Sequence, residues 1–141
     1  RLLTMSGHQF MLKLKETENS GRKSNEGLDL SVYSLVTDSE RDIRTLSGGE
    51  SFLAALAMAL GLSDIAIRKA GAVHLDMMFI DEGFGTLDAQ SRKQAIEVLS
   101  QLAGNERLVG IISHVTELKE QIEHRLYVTR TENGSEAVWE E

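Results

Sequence analysis

With 141 residues the chain has the size of one ordinary domain, and it lacks cysteine, so a disulfide framework, a thiolate nucleophile and a Cys-ligated zinc are excluded. Its net charge of -7 is uneven: residues 1–25 carry five Lys/Arg against two Glu, and the remainder ten against twenty Asp/Glu. Such a body repels nucleic acid, leaving a local patch such as Arg22 and Lys23 as the candidate DNA contact, though two basic residues in a polar loop are more often solvated charge.

No apolar run approaches the ~18 residues of a bilayer span and no signal-peptide pattern opens the sequence, which predicts a cytoplasmic protein without a membrane partner. Proline is absent, so turns must be built from Gly, Asn, Asp and Ser. In HQFMLKLK, Phe10, Leu12 and Leu14 alternate, and in LDLSVYSL, Leu28, Leu30 and Val32 do the same, which predicts two strands. The polar ETENSGRKSNEG between them reads as the mobile tip of an antiparallel pair. Glu50–Ala70 is rich in Ala and Leu, with Leu53, Leu56 and Leu60 at helical spacing and Gly71 placed as a stop. Apolar on most sides, this helix is expected to be largely buried. MMFI, Met77–Ile80, is a short wholly apolar run, the mark of a parallel strand covered on both faces. A second helix is predicted over Ala89–Ala103, with Ile96, Leu99 and Leu102 inward and Gly104 as its stop. RLVGIIS, Arg107–Ser113, is a second buried strand, and a short amphipathic helix around Glu117–Glu123 follows. In RLYVTRTENGSEAVWEE, Asn133-Gly134 signals a hairpin. The fold class is α/β, a parallel sheet with flanking helices plus an antiparallel hairpin at each end. The methionines are expected to fill the core, Trp139 to pack under the last hairpin, and His8, His74 and His124 to be structural.

Three short stretches carry chemistry. In LSGGE, Leu46–Glu50, Ser47 and Glu50 have capping-box spacing, but capping does not explain Gly48 and Gly49. Two glycines in a first turn cost roughly 1 kcal/mol each relative to alanine, so something must approach this backbone closely. Free amides, a positive helix end and a serine hydroxyl suit a phosphate. Asp81 and Glu82 end the apolar run at a strand's carboxyl end, where ligands of open parallel sheets bind. Asp81 can hold Mg²⁺ through its water shell, and Glu82 can deprotonate a water. His114 directly follows the second buried strand and belongs beside them if the two strands are neighbours; a neutral imidazole there can meet a phosphate oxygen or the attacking water.

LSGGE, MMFIDEGFGTLD and IISHV, in this order and separation, resemble the signature motif, the Walker B motif with D-loop, and the switch histidine of ABC-type ATPases. RTLSGGESFLAALAMALGLSD with DEGFGTLD is similar to the SbcC-like family within the SMC-related DNA-repair group; ABC transporters usually carry a proline after the Glu, which is absent here. The resemblance spans about Leu28–Trp139. It implies ATP and Mg²⁺ as ligands, with Asp81 assisting the metal, Glu82 as general base and His114 contacting the γ-phosphate. Within the cofactor-binding run Ser47, Gly48, Gly49 and Glu50, it implies that Ser47 and Gly49 contact the γ-phosphate held by an opposite subunit. Asp88, at the D-loop aspartate, would help join the two subunits.

A GxxxxGK[ST] phosphate loop does not occur in these residues, so half of such a site is absent. In the resembled family the ATP-binding domain is split: an N-terminal lobe carries that loop, a long coiled coil intervenes, and a C-terminal lobe carries the motifs found here. The resemblance therefore implies that residues 8–141 are the C-terminal lobe of a P-loop, ABC-type ATPase head and residues 1–7 the end of a coiled coil or linker. Implied partners are the N-terminal lobe, a second head in an ATP-dependent homodimer, a nuclease subunit of the SbcD type and double-stranded DNA, in a cytoplasmic, nucleoid-associated setting. The implied activity is ATP hydrolysis that drives conformational change in a double-strand-break repair nuclease complex, the isolated chain being inactive. Alternatives are the matching lobe of another SMC-like or transporter ATPase, and a non-hydrolysing interaction module, against which the intact Asp81-Glu82 pair and His114 argue.

Overall fold

A computed structural model describes residues 1–15, 29–70, 77–103, 108–132 and 134–140. The chain begins with α1 (Leu2–Met5), a single turn whose Leu2 and Met5 enter the core. Gly7 and His8 then take positive φ, 61° and 64°, and turn the chain into a sheet. There β1 (Phe10–Leu14) pairs antiparallel with β2 (Leu30–Ser34), Leu12 opposite Val32, as the alternation predicts. The expected tip between them, with Arg22 and Lys23, lies outside the described residues. A third strand, β3 (Ser39–Asp42), joins the free edge of β2. Its sequence SERD has no apolar alternation; side chains hold it instead, with Ser31 donating to Glu40 and Lys15 donating to Asp42 at 2.8 Å.

Two long helices and a parallel pair form the body. α2 (Gly48–Ala70) and α3 (Ala89–Ala103) match the predicted helices, while Gly71, His74 and Gly104 lie outside the described residues. β4 (Met77–Asp81) and β5 (Leu108–Ile112) are parallel neighbours, with Asp81 opposite Ile112. The core joins Leu53, Leu56 and Leu60 of α2 to Ile96 and Leu99 of α3, with Ile80 and Phe84 between them. Leu60 and Phe84 are 1% and 0% exposed, and burying each stabilises the fold by about 1.5–3 kcal/mol. The last two strands, β6 (Arg125–Thr131) and β7 (Gly134–Glu140), form the expected hairpin; Gly134 takes φ 131°, and Asn133 lies outside the described residues.

Burial departs from expectation in several places. α2 is buried on one face of its first half only, and Leu62 and Ile65 are exposed, because α1 and the Phe84–Thr86 turn pack along a single side. By length and composition alone its Gly48–Ala66 stretch could span a bilayer, contrary to the expectation that no run comes near, yet its inner side forms part of the hydrophobic core. β4 is not covered on both faces: Met78 and Ile80 point inward, while Met77 and Phe79 are 55% and 63% exposed, as are Leu108 and Ile112 beside them. The parallel pair is only two strands wide among the described residues, so one face has no cover. Met11 and Met77 are likewise exposed rather than filling the core. Trp139 is 68% exposed instead of packed, because it shares the bare face of the hairpin with Leu126, its opposite partner, and Val128. The amphipathic helix expected near Glu117–Glu123 contracts to a 3-10 turn, Thr116–Leu118, with Leu118 buried.

The start of α2 explains one glycine by packing. A Cβ on Gly49 would lie 2.8 Å from the carbonyl oxygen of Thr86, whereas on Gly48 the nearest atoms, of the Thr86 side chain, are 3.9 Å away. At Gly49, then, the close approach is made by the protein's own backbone. Gly49→Ala should lower the melting temperature by the equivalent of about 1–3 kcal/mol through overpacking. Gly48→Ala should leave it unchanged or raise it by up to ~1 kcal/mol, since alanine is the better helix former. Equal melting of the two variants would contradict the packing account.

Candidate functional site

The site grows from the carboxyl ends of β4 and β5. Their ladder continues one step, the Glu82 N–H donating to the Ile112 carbonyl at 2.9 Å, and then breaks. Glu82 takes φ 61° and Gly83 φ 96°. For Glu82 the left-handed conformation costs roughly 1–2 kcal/mol, and strain of this kind concentrates at functional positions. Gly83 is obligatory, because a Cβ there would fall 2.1 Å from the Phe52 ring.

This turn brings Glu82 to His114, whose Nδ1 lies 2.9 Å from one carboxylate oxygen and 3.1 Å from the other. Sequence reasoning placed the two together if the strands were neighbours, and they are. An ionised carboxylate only accepts, so Nδ1 carries the proton, and a neutral ring in this pose offers a lone pair at Nε2. Contact with a phosphate oxygen from that pose requires the imidazolium, or a ring turned away from Glu82. Both side chains face solvent.

Asp81, the last residue of β4, pairs with Ile112 through its backbone and is exposed to solvent. No group of three or more His, Asp and Glu among them is arranged to hold a metal alone. A single open carboxylate fits a hard cation that keeps most of its shell as water and substrate oxygens.

A second cluster surrounds the start of α2. The capping box is present: the Ser47 N–H donates to Glu50 Oε2 at 2.7 Å, and the Glu50 N–H donates to Ser47 Oγ at 3.3 Å. Oγ accepts the Glu50 N–H, and the Ser47 side chain also hydrogen-bonds the Glu50 carboxylate, so the hydroxyl belongs to the cap in this arrangement. The first intrahelical bond runs from the Ser51 N–H to the Ser47 carbonyl, so the Gly48 and Gly49 amides precede it at the positive helix end. Burial pushes the Glu50 carboxyl up, but hydrogen bonds from the Ser47 N–H and from Arg41 outweigh it and hold the group below its ordinary range.

Asp88 caps α3, accepting the Ser91 N–H at 2.9 Å and the Ser91 hydroxyl at 2.8 Å, and these bonds hold it low as well. Its carboxylate is thus committed within its own chain. Ser47, Gly49, Glu50, Thr86 and Asp88 share the walls of a groove of about 250 Å³, to which Asp81, Glu82 and His114 do not contribute. The predicted residues therefore form two groups, one at the strand ends and one at the helix start. Sequence reasoning missed Arg41 and Phe52. Phe52 could have been suspected from its place one turn into the glycine-rich helix start, whereas nothing marks Arg41 within an all-polar strand.

Comparison with known proteins bears on both groups. The family described as SbcC/RAD50-like, Walker B motif, matches residues 13–101. The SbcC component of the nuclease SbcCD from Vibrio cholerae is 52% identical over 135 residues, covering 96% of this chain and 13% of that protein. Its namesake from Staphylococcus haemolyticus is 45% identical over the same share of each. The chain thus spans 13% of the length of these relatives. Among solved structures, one from work on ATP-driven dimerization and DNA-stimulated activation of SMC ATPases matches with a TM-score of 0.71 at 19% identity, covering 99% of this chain and 78% of that one. The Smc head domain of Pyrococcus furiosus, bound to the C-terminal domain of ScpA, matches with a TM-score of 0.66 at 21% identity, covering 98% and 32%. These structural likenesses give the fold, the α/β fold of an SMC-type head. With the family description reaching from within β1 into the last turn of α3, the chain belongs to the SbcC/RAD50-like Walker B family.

Proposed function

We propose that residues 8–141 are the C-terminal lobe of an SbcC-type ATPase head, that residues 1–7 end a coiled coil or linker, and that ATP is hydrolysed only when this lobe joins the one carrying the phosphate loop. The observation that carries this reading is the bare parallel pair. Asp81 and Glu82 end a sheet whose outer face exposes Met77, Phe79, Leu108 and Ile112. Parallel sheets occur with both faces covered, and the relatives are several times longer than this chain. The N-terminal lobe of the same protein is the cover, and it brings the phosphates to the strand ends.

At that junction Glu82 takes the proton from the water that attacks the terminal phosphate, and His114 holds Glu82 through its Nδ1–H. Asp81 would hold Mg²⁺ through its water shell, and the metal, when bound, offsets charge on the phosphate oxygens. The Gly48 and Gly49 amides and the Ser47 hydroxyl donate to a γ-phosphate. The resemblance to ABC-type ATPases supports placing that phosphate on the nucleotide of a second head, and the separation of the two groups is compatible with it. ATP then closes a homodimer, with Asp88 at the seam, and hydrolysis reopens it. The coupled partners are a nuclease subunit of the SbcD type and double-stranded DNA, in the cytoplasm and at the nucleoid. The SbcC relatives favour this repair role over a transporter lobe or a non-hydrolysing module.

The purified 141-residue chain should show little ATPase, and adding the N-terminal lobe should restore it; robust turnover by the chain alone would overturn the split site. In the full-length protein Glu82→Gln should bind ATP normally while hydrolysis falls by on the order of 10² or more and ATP-bound dimers accumulate. Wild-type turnover in that variant would mean the base is another group. Ser47→Arg should leave ATP binding by each head intact and abolish dimerisation with a non-hydrolysable analogue, read by light scattering. Normal dimers, with only the loss of about 1 kcal/mol expected of a missing cap, would leave capping as the whole role of Ser47.

A further inference from the structure

Glu50 sets an electrostatic problem for the loop it caps. Its carboxylate stands at the same helix end that offers two amides and a hydroxyl to a phosphate, and a like charge within a few ångström disfavours the anion. Arg41 answers that charge. Its Nη2 donates to Glu50 Oε1 at 2.7 Å, while the other oxygen of the same carboxylate accepts the Ser47 N–H at 2.7 Å. Side-chain exposures of 34% for Arg41 and 25% for Glu50 leave the pair partly shielded from solvent, so salt screens it less than a fully exposed pair.

The guanidinium is itself held from two directions. Its Cζ lies 5.2 Å from the centre of the Phe10 ring of β1, and Nη1 reaches the Thr45 carbonyl, two residues before Ser47, at 3.5 Å. The backbone of Arg41 is fixed by its pairing with Val32 in the sheet. One planar cation therefore ties the three-stranded sheet, the loop before LSGGE and the capping carboxylate together.

We propose that Arg41 is a positioning residue for the signature loop: by neutralising Glu50 and fixing its carboxylate, it holds Ser47 and the glycine amides able to accept a phosphate from the opposite head. This rests on the assignment of LSGGE to a γ-phosphate in trans. A purely structural tie between sheet and helix would also cost stability when cut, so the test must separate charge from folding. Glu50→Gln supplies that separation, because it keeps an acceptor oxygen for the Ser47 N–H and removes the charge that Arg41 balances.

In the full-length protein, Arg41→Ala should raise the concentration of non-hydrolysable ATP needed for dimerisation by about tenfold or more, with binding to the single head unchanged. Adding Glu50→Gln to Arg41→Ala should recover most of that loss, while Arg41→Lys, which keeps charge but not the fork, should fall between Arg41→Ala and wild type. Wild-type dimerisation by Arg41→Ala, or a loss that Glu50→Gln does not recover, would overturn the proposal. Ser47→Arg measured alongside distinguishes the failures: if it also dimerises normally, the assignment of the loop has failed, whereas if it is blocked and Arg41→Ala is normal, only the role of Arg41 has failed.

Discussion

The approach of Gly49 to the Thr86 carbonyl decides how closely α2 can stand to the turn after β4, and the rest of the chemistry inherits that spacing. A Cβ at position 49 would lie 2.8 Å from that oxygen, so only glycine allows the helix to sit where it does. Phe52, one turn further along α2, closes the same joint by lying against Gly83 and meeting Phe84 edge-on at 5.1 Å between ring centres. The Thr86 hydroxyl donates to the Gly83 carbonyl at 2.7 Å and stiffens the turn from within. Interiors packed this tightly transmit displacement instead of absorbing it. The strained turn at Glu82 and the start of α2 are thus one mechanical unit, although their functional side chains face different surroundings.

The exposed surfaces follow from the same arrangement. The outer face of β4 and β5 and the Leu126, Val128 and Trp139 face of the last hairpin are apolar and bare. Contiguous apolar surface of this kind marks interfaces in soluble proteins. The relatives extend far beyond this chain, and in the proposed head their additional length includes the cover. What holds the described residues together is the core between α2 and α3, closed by Ile80, Phe84 and Leu87.

Much of the fold could be read from residue periodicity, and the failures have physical causes. Phe10, Leu12 and Leu14 announced β1, and Leu53, Leu56 and Leu60 announced the inner face of α2, because alternation and helical spacing are properties of the segment itself. β3 was invisible because SERD pairs through side-chain bonds and register, not through an apolar face. MMFI has the pattern of a doubly covered strand, yet an apolar run reports what a strand needs and not what lies against it. At the site, the meeting of Glu82 and His114 was legible because both follow the carboxyl ends of strands that had to be neighbours. The double glycine was only half legible: the sequence does not show that the Thr86 carbonyl of the same chain also requires a glycine at position 49. Arg41 could not have been found, since its reach to Glu50 depends on the register of the one strand that carries no pattern.

In the proposed dimer the helix-start group and the strand-end group of one chain serve different ATP sites. Subunit mixing tests it most directly. Full-length protein carrying Ser47→Ala, which removes the hydroxyl without the bulk that blocks closure, is mixed and re-equilibrated with full-length protein carrying Glu82→Gln, each impaired alone, and ATPase is measured. In a heterodimer of these two, one composite site combines both lesions and the other has neither. Mixing should therefore restore up to about a quarter of wild-type activity for random two-fold association. If both groups served the nucleotide of their own chain, each site would keep its lesion, and a mixture no more active than its components would contradict the account.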